Sequence, residues 1–98
     1  MSDALREKLR AEIGVAPFGD LRAHAKRGGL FLVSRGVELL DVAVAVARDD
    51  RASVQGWLEA GTVARPTAEQ LAGWESAQGA VFEVAIVQPF VLAHVLDA

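Results

Sequence analysis

The 98-residue sequence contains no cysteine, which excludes a disulfide framework and any thiolate metal site. Its first ten residues, MSDALREKLR, lack the apolar core of a signal peptide. It also lacks a glycine-rich nucleotide fingerprint, paired metal ligands at zinc spacing, and a nucleophile with its base in a known motif. We therefore expect a cytoplasmic protein without metal or cofactor, and we favour a function other than catalysis.

No uninterrupted apolar run is long enough to cross a membrane, which takes about 20 residues as a helix. The longest apolar stretch, AVFEVAIVQPFVLAHVL over residues 80–96, is broken at four positions: Glu83, Gln88, Pro89 and His94. Its β-branched residues favour two strands, Val81–Gln88 and Phe90–Val95. Pro89 marks the break between them, because proline cannot donate to the hydrogen-bond ladder of a sheet. Both faces of each strand are largely apolar, which is typical of a sheet covered on both sides.

Several segments before this stretch combine a capping residue or proline at their start with an apolar face and a glycine beyond their end. The predicted helices are Asp3–Ile13 with Ser2 as N-cap, a short helix after Pro17 that ends at Gly28-Gly29, Arg51–Ala60 between Asp50 and Gly61, and a helix from Thr67 to about Ala77. Thr67 and Gln70 have the spacing of a capping box. Within Arg51–Ala60, we expect Val54, Trp57 and Leu58 to point inward.

Val37–Arg48 carries two periodicities. Its VAVAVA run alternates as a strand does, whereas Leu39, Val42 and Val46 also make a helical stripe. The alanine content and the length of the segment favour a helix that is buried over most of its circumference. Asp41 lies inside this segment, so its carboxylate must find a partner or reach solvent.

Leu30–Ser34 is a short apolar run that predicts an interior strand, and Val63–Arg65 is a candidate for a further brief strand. The expected fold is therefore α+β, with about four short helices packed on a small sheet of two to four strands. One compact domain is expected to span residues 1–98.

The hydrophobic fraction of 52% is high for a small monomer, so we expect self-association into a homo-oligomer. The strand edge near Pro89 is where a second copy could add. Residues 1–35 carry a net charge of +3 and residues 36–98 one of −6. Ordinary solvated helix faces explain this asymmetry, and a basic patch for an anionic ligand is the alternative.

Residues 38–65 loosely resemble a helix-turn-helix, because a buried helix and the Asp49-Asp50 turn precede the segment VQGWLEAG. A nucleic-acid-binding regulator is therefore an alternative function, although the Arg51–Ala60 segment offers only one arginine and Gln55 for phosphates and base edges. Nucleic acid is accordingly not the expected partner.

A small-molecule enzyme is a further alternative. Its acid–base groups would be Glu83, His94 and Asp41, since a buried carboxylate beside a histidine is an arrangement that active sites use. No nucleophile motif accompanies these groups.

Five blocks of the sequence recur in one known family: LREKLRAEI, LLDVAVAVARDD, VQGWLEAG, PTAEQLAGW and IVQPFVL. In order and spacing they resemble a family of small bacterial proteins known as domain of unknown function 2288. The resemblance covers nearly the whole chain, and Phe90 matches an aromatic residue that often follows the proline in that family. The family has no established reaction, cofactor or partner, so the resemblance implies none here.

The function that these patterns favour is a non-enzymatic binding or assembly module. No membrane partner is expected, and the class of any small-molecule ligand stays open. The side chains we expect to hold a ligand are those of Asp41, Glu83, Gln88, Arg35 and Arg48.

Overall fold

The computed structural model describes residues 3–76 and 79–96. In these ranges it has five helices and one sheet of five strands. The helices are α1 (Ala4–Glu12), α2 (Phe18–Lys26), α3 (Leu39–Ala47), α4 (Arg51–Ala60) and α5 (Ala68–Ser76). The strands are β1 (Gly14–Pro17), β2 (Leu30–Val33), β3 (Val63–Ala64), β4 (Val81–Val87) and β5 (Phe90–Leu96).

The sheet has the strand order β1-β4-β5-β2-β3. The β4–β5 hairpin lies inside it, and its register places Glu83 opposite His94 and Val87 opposite Phe90. β5 and β2 pair in parallel, while the other neighbouring pairs are antiparallel. The last third of the chain therefore supplies the two longest strands, and earlier segments build outward from them.

Helices cover the sheet on both sides, as the two apolar faces of β4 and β5 predicted. α1, α3 and α4 form the first layer, which packs on the face that carries Ala85 and Leu92 and encloses the first core. α2 and α5 form the second layer, which packs on the other face and encloses the second core around Phe82 and Leu30. Alternation along the strands assigns successive side chains to opposite layers, so β2, β4 and β5 each contribute to both cores.

The ambiguous segment Val37–Arg48 forms a helix, α3, and the helical prediction is confirmed. Its residues Val42 and Ala43 are fully buried, and the neighbouring Val44 and Ala45 are buried as well. A strand would have needed ladder partners on the sheet, whereas a helix satisfies its own backbone groups while burying most of its circumference.

The predicted element count needs correction, because about four helices and two to four strands were expected. The short strand β1 was missed, since Gly14 and Pro17 both disfavour strands in isolation. β1 forms because its backbone pairs with Val81–Val84 of β4, which is a long-range contact with no local signal. Ser2 and Ala77, the predicted N-cap of α1 and end of α5, lie outside the described residues, and Asp3 accepts the capping hydrogen bond of α1.

Two predicted helix starts are confirmed in their side-chain detail. Thr67 Oγ1 accepts from the Gln70 backbone N–H at 3.1 Å, and Gln70 Oε1 accepts from the Thr67 N–H at 2.8 Å. This reciprocal capping box starts α5. At the start of α4, Asp50 accepts from the backbone N–H of Ser53 at 3.2 Å. Each cap satisfies N–H groups that have no partner inside the helix.

None of the helices in residues 3–76 and 79–96 has both the length and the apolar character that crossing a bilayer requires.

A surface ion pair joins the helices of the second layer. Arg22 of α2 donates to both carboxylate oxygens of Glu75 in α5, with Nε–Oε2 and Nη2–Oε1 distances of 2.8 Å. This bidentate hydrogen bond from Arg22 holds the pKa of Glu75 below its ordinary value. A carboxyl with a lowered folded pKa stabilises the protein above its unfolded pKa and loses that contribution as pH falls through the folded value.

We therefore expect Glu75→Gln to lower the melting temperature slightly at pH 7, because exposed pairs contribute little. The difference from the parent protein should shrink as pH falls below about 4.3, the ordinary pKa of a glutamate. Thermal unfolding monitored by circular dichroism at pH 7 and pH 3 measures this. Glu12→Gln is the control, since Glu12 forms no ion pair among the described residues. A difference that persists unchanged at pH 3 would contradict the assigned role.

Candidate functional site

An apolar groove of about 660 Å³ lies on the described surface. We call it the α3–α4 groove, because these two helices form its walls and strands of the sheet form its floor. The apolar side chains that define it are Phe31, Val46, Val54, Leu58, Phe90 and Leu92. Its volume lies within the range of about 300–1,000 Å³ typical of ligand pockets.

The groove exists because α4 packs loosely on the rest of the first layer. α4 has no buried residue, although its capping and termination are complete. Leu58, which we expected to point into the core, is 45% exposed, and Phe90 is 38% exposed. The prediction for Leu58 is therefore corrected. Trp57 and Val54 are half-buried, and Trp57 packs against the core of the first layer.

Aromatic contacts hold the floor of the groove in place. The rings of Phe31 and Phe90 meet edge to face with their centroids 5.8 Å apart, a favoured geometry for aromatic pairs. The Arg65 guanidinium lies over the Phe31 ring at 5.1 Å and donates to the Gly28 carbonyl at 2.9 Å. Phe31 therefore has contacts on two sides, with Arg65 and with Phe90. The partly exposed Phe90 ring packs against a Phe31 ring that Arg65 also holds in position.

Charged side chains lie only at the rim of the groove. Asp49, Asp50 and Glu59 are acidic, and Arg51 is the one base among the lining residues. Asp49 has a backbone φ of 57°, a left-handed conformation that aspartate tolerates better than most residues. Arg51 donates to the Asp49 carboxylate at 3.3 Å. The Asp49-Asp50 turn thus serves as a turn and a helix cap, and it also places two carboxylates beside an apolar surface.

A smaller cleft of about 340 Å³ lies on the same side of the sheet, at the N-terminal end of α3. It contains Glu83 and His94, which face each other across the β4–β5 ladder with Oε1 and Nδ1 separated by 3.6 Å. His94 Nε2 donates to the Val37 carbonyl at 2.9 Å, and the His94 side chain is only 15% exposed. Arg10 and Glu38 complete the charged lining, which includes no hydroxyl or thiol side chain.

The His94–Val37 hydrogen bond leads to a prediction about stability. Replacing His94 by alanine is expected to lower the free energy of unfolding by about 1–3 kcal/mol, because the Val37 carbonyl loses its partner in a partly buried place. Glu83→Gln keeps that hydrogen bond, so it should lower the free energy of unfolding clearly less than His94→Ala does. Chemical denaturation of the two variants distinguishes them, and equal losses would show that the hydrogen bond is not the source of the effect.

The five residues predicted as ligand contacts occupy separate places. Asp41 accepts from Arg6 at 2.6 Å, and Arg48 pairs with Asp3 at 2.6 Å, so both tie α3 to the N-terminal region. The pKa of Asp3 is lowered mainly by the hydrogen bond that its carboxylate accepts from the Arg6 backbone N–H, and to a smaller extent by Arg48.

The other three lie elsewhere on the sheet. Arg35 donates to the Val95 carbonyl at 3.1 Å, and Glu83 lies in the small cleft. Gln88 is in the β4–β5 turn, roughly 16 Å from Glu83 at the rise of an extended strand. The structure brings Glu83 to His94 and does not gather the five into one cluster; their role in holding a ligand stays a prediction.

The residues of the groove were missed because only polar residue types were considered as ligand contacts. Leu58 was expected to point inward, and Phe90 was placed in a strand that we expected to be covered on both faces. One signal was available in the sequence: α4 carries few large apolar residues for a helix that covers a wide sheet. That shortage indicates incomplete coverage of the neighbouring surface.

The fold and site together define a small α+β protein with a sheet between two helical layers and an open apolar groove on one of them. The chain belongs to the family described as "Protein of unknown function (DUF2288)", whose model matches residues 4–95. The resemblance inferred from the five sequence blocks is thereby confirmed.

A solved structure is also similar to the chain. It is the NMR solution structure of PA1075 from Pseudomonas aeruginosa, with 26% sequence identity and a TM-score of 0.80 over 100% of this chain and 90% of that chain. No curated protein matches the chain.

Proposed function

We propose that the protein is a non-enzymatic binding module whose α3–α4 groove takes apolar side chains of a polypeptide partner. The observation that carries this proposal is the groove itself, with Leu58 and Phe90 partly exposed above an apolar floor. Exposed apolar side chains scattered singly are ordinary, but a contiguous concave patch is typical of a binding surface. Burial of Leu58 and Phe90 by a partner would release the water that now covers them.

The small cleft supports an enzyme less well. Its Glu83 and His94 have acid–base chemistry, but the Nε2 proton of His94 is committed to the Val37 carbonyl. The lining also offers no hydroxyl or thiol to act as a nucleophile. Glu83 and His94 are better explained as a cross-strand pair, in which His94 also donates a hydrogen bond to the loop carbonyl of Val37.

An environment-sensitive dye that fluoresces on apolar surfaces tests the proposal. We expect the parent protein to bind the dye, and we expect Leu58→Gln to reduce the fluorescence severalfold while leaving the helix intact, because glutamine is a good helix former. Leu96→Gln is the matched control, since Leu96 is also partly exposed but lies on β5 away from the groove lining. Equal losses in both variants, or no loss in Leu58→Gln, would contradict the assignment of binding to the groove.

Self-association is a second candidate, favoured by one feature of the sheet. β1 pairs only with Val81–Val84, so the last three residues of β4, Ala85–Val87, have no strand partner on that side within residues 3–76 and 79–96. Ile86 lies in this segment and is 52% exposed. A second copy could pair with this free edge and cover Ile86. Light scattering at tens of micromolar protein tests this idea, and Ile86→Lys should convert any dimer to monomer.

A nucleic-acid partner has less support from the surface. α3, the Asp49-Asp50 turn and α4 do follow one another as in a helix-turn-helix. The rim of the α3–α4 groove, however, places three carboxylates beside the single base Arg51. Phosphates bind where Lys and Arg predominate, so the charge at this surface favours a polypeptide partner.

A further inference from the structure

We infer that the α3–α4 groove takes a basic amphipathic segment of another protein, an inference that rests on the proposed function. The lining residues include three acids and one base, which leaves the rim with a net charge of −2. The floor is apolar throughout. A partner that complements both features presents apolar side chains to the floor and Lys or Arg side chains to the rim.

The acidic groups border the groove at both ends of α4. Asp49 and Asp50 precede the first residue of α4, and Glu59 lies next to its last. Glu59 lies nine positions after Asp50, which corresponds to about 13 Å along a helix. Between them, Val54 and Leu58 contribute to the apolar wall. The matching segment therefore has an apolar face of about two helical turns with a basic residue near each end.

The carboxylates at the rim can still pair with the Lys or Arg side chains of such a partner. Asp50 accepts from the Ser53 N–H and from Ser53 Oγ, at 3.2 and 2.8 Å, and Glu59 accepts from Gln55 Nε2 at 3.1 Å. An ionised carboxylate has about four acceptor sites, so each can also pair with a cation. The rim is exposed, so the pairs should act mainly on specificity and on the rate of encounter.

Other occupants fit the charge less well. A second copy docked groove to groove would place one rim of −2 against another, and like charges at an interface oppose association. Nucleic acid and anionic amphiphiles such as fatty acids meet the same repulsion. A basic amphipathic helix, which uses apolar residues at i, i+3, i+4 and i+7, satisfies the floor and the rim together.

Three synthetic helical peptides test the inference. All carry the same apolar face, and their flanking residues are Lys in the first, Gln in the second and Glu in the third. Fluorescence anisotropy at low and high salt gives their affinities. We expect affinity to fall in the order Lys, Gln, Glu, and we expect added salt to weaken only the Lys peptide, because salt screens exposed charges.

Charge variants of the protein test whether the acidic rim of the α3–α4 groove is the source of the preference for the Lys peptide. Glu59→Lys is expected to weaken the Lys peptide by up to about fivefold, the scale of an exposed charge pair, and to leave the Gln peptide unchanged. Glu69→Lys is the matched control, since Glu69 lies in the first turn of α5, on the other face of the sheet. An equal loss in the two variants would show a general effect of net charge and would overturn the inference.

The remaining outcomes separate the inference from the function on which it rests. Equal affinity of the three peptides, with loss in Leu58→Gln, would overturn the role of the acidic rim and leave the groove as the binding site. Binding by none of the peptides would overturn the basic amphipathic partner. If dye binding were also insensitive to Leu58→Gln, the proposed function would fail as well.

Discussion

Replacing Phe82 by alanine is expected to lower the free energy of unfolding by about 3–5 kcal/mol, the usual cost of truncating a buried phenylalanine. Phe82 is completely buried in β4, in the layer that α2 and α5 cover. Its ring centroid lies 5.0 Å from that of Trp74 and 6.3 Å from that of Phe18. Truncation would therefore leave a cavity and remove the aromatic contact that joins both helices to the sheet. Urea denaturation followed by tryptophan fluorescence measures the loss.

Phe90→Ala is the matched control for this prediction. Phe90 lies in the partner strand β5 but is partly exposed, and its aromatic contact is with Phe31. Less apolar area is buried there, so the same truncation should cost much less. Similar losses for Phe82→Ala and Phe90→Ala would show that the second layer is not packed as described.

Replacing Leu92 by alanine should lower the free energy of unfolding by about 2–5 kcal/mol. Leu92 is buried in β5 beneath α3, and it also forms part of the groove floor. The truncation would remove packing from the first core and deepen the groove at the same time. Leu96→Ala, in the same strand and 38% exposed, is the control and should cost far less. An equally small loss for Leu92→Ala would contradict the placement of the first core.

Local sequence signals predicted those elements whose causes are local. The capping box at Thr67 and Gln70 and the stop at Gly61 depend on a few neighbouring residues, and the structure confirms them. The β4–β5 pair was predicted because β-branched residues flank a proline that cannot donate. α3 was predicted because the alanine content and the length of its segment favour a helix over a strand.

The strand order and β1 could not be predicted in the same way. β1 contains Gly14 and Pro17, and its pairing with Val81–Val84 joins segments more than 60 residues apart in the chain. The parallel pairing of β2 with β5 likewise joins distant segments. Such pairings depend on which strand faces remain to be buried after the helices pack. The residues within each strand do not specify which distant strand will be its neighbour.

The side-chain contacts of the predicted site residues also depend on distant segments of the chain. Asp41 was singled out as the charge inside an apolar helix and Arg48 as a possible ligand contact, yet their partners Arg6 and Asp3 lie in the N-terminal region. Charge on an otherwise apolar helix thus indicated contacts between elements. The groove depends on how far α4 stands from the sheet, which the amphipathic pattern of α4 alone does not determine.

Chemical-shift mapping shows directly whether the α3–α4 groove binds a polypeptide partner. Titration of the ¹⁵N-labelled protein with the Lys-flanked peptide should shift the amide resonances around Phe31, Leu58 and Phe90 most strongly. Amides near Val15 and Leu96, which are also exposed apolar positions, should stay in place. Shifts concentrated at Val15 and Leu96, or no shifts at the groove at millimolar peptide, would contradict binding in the α3–α4 groove.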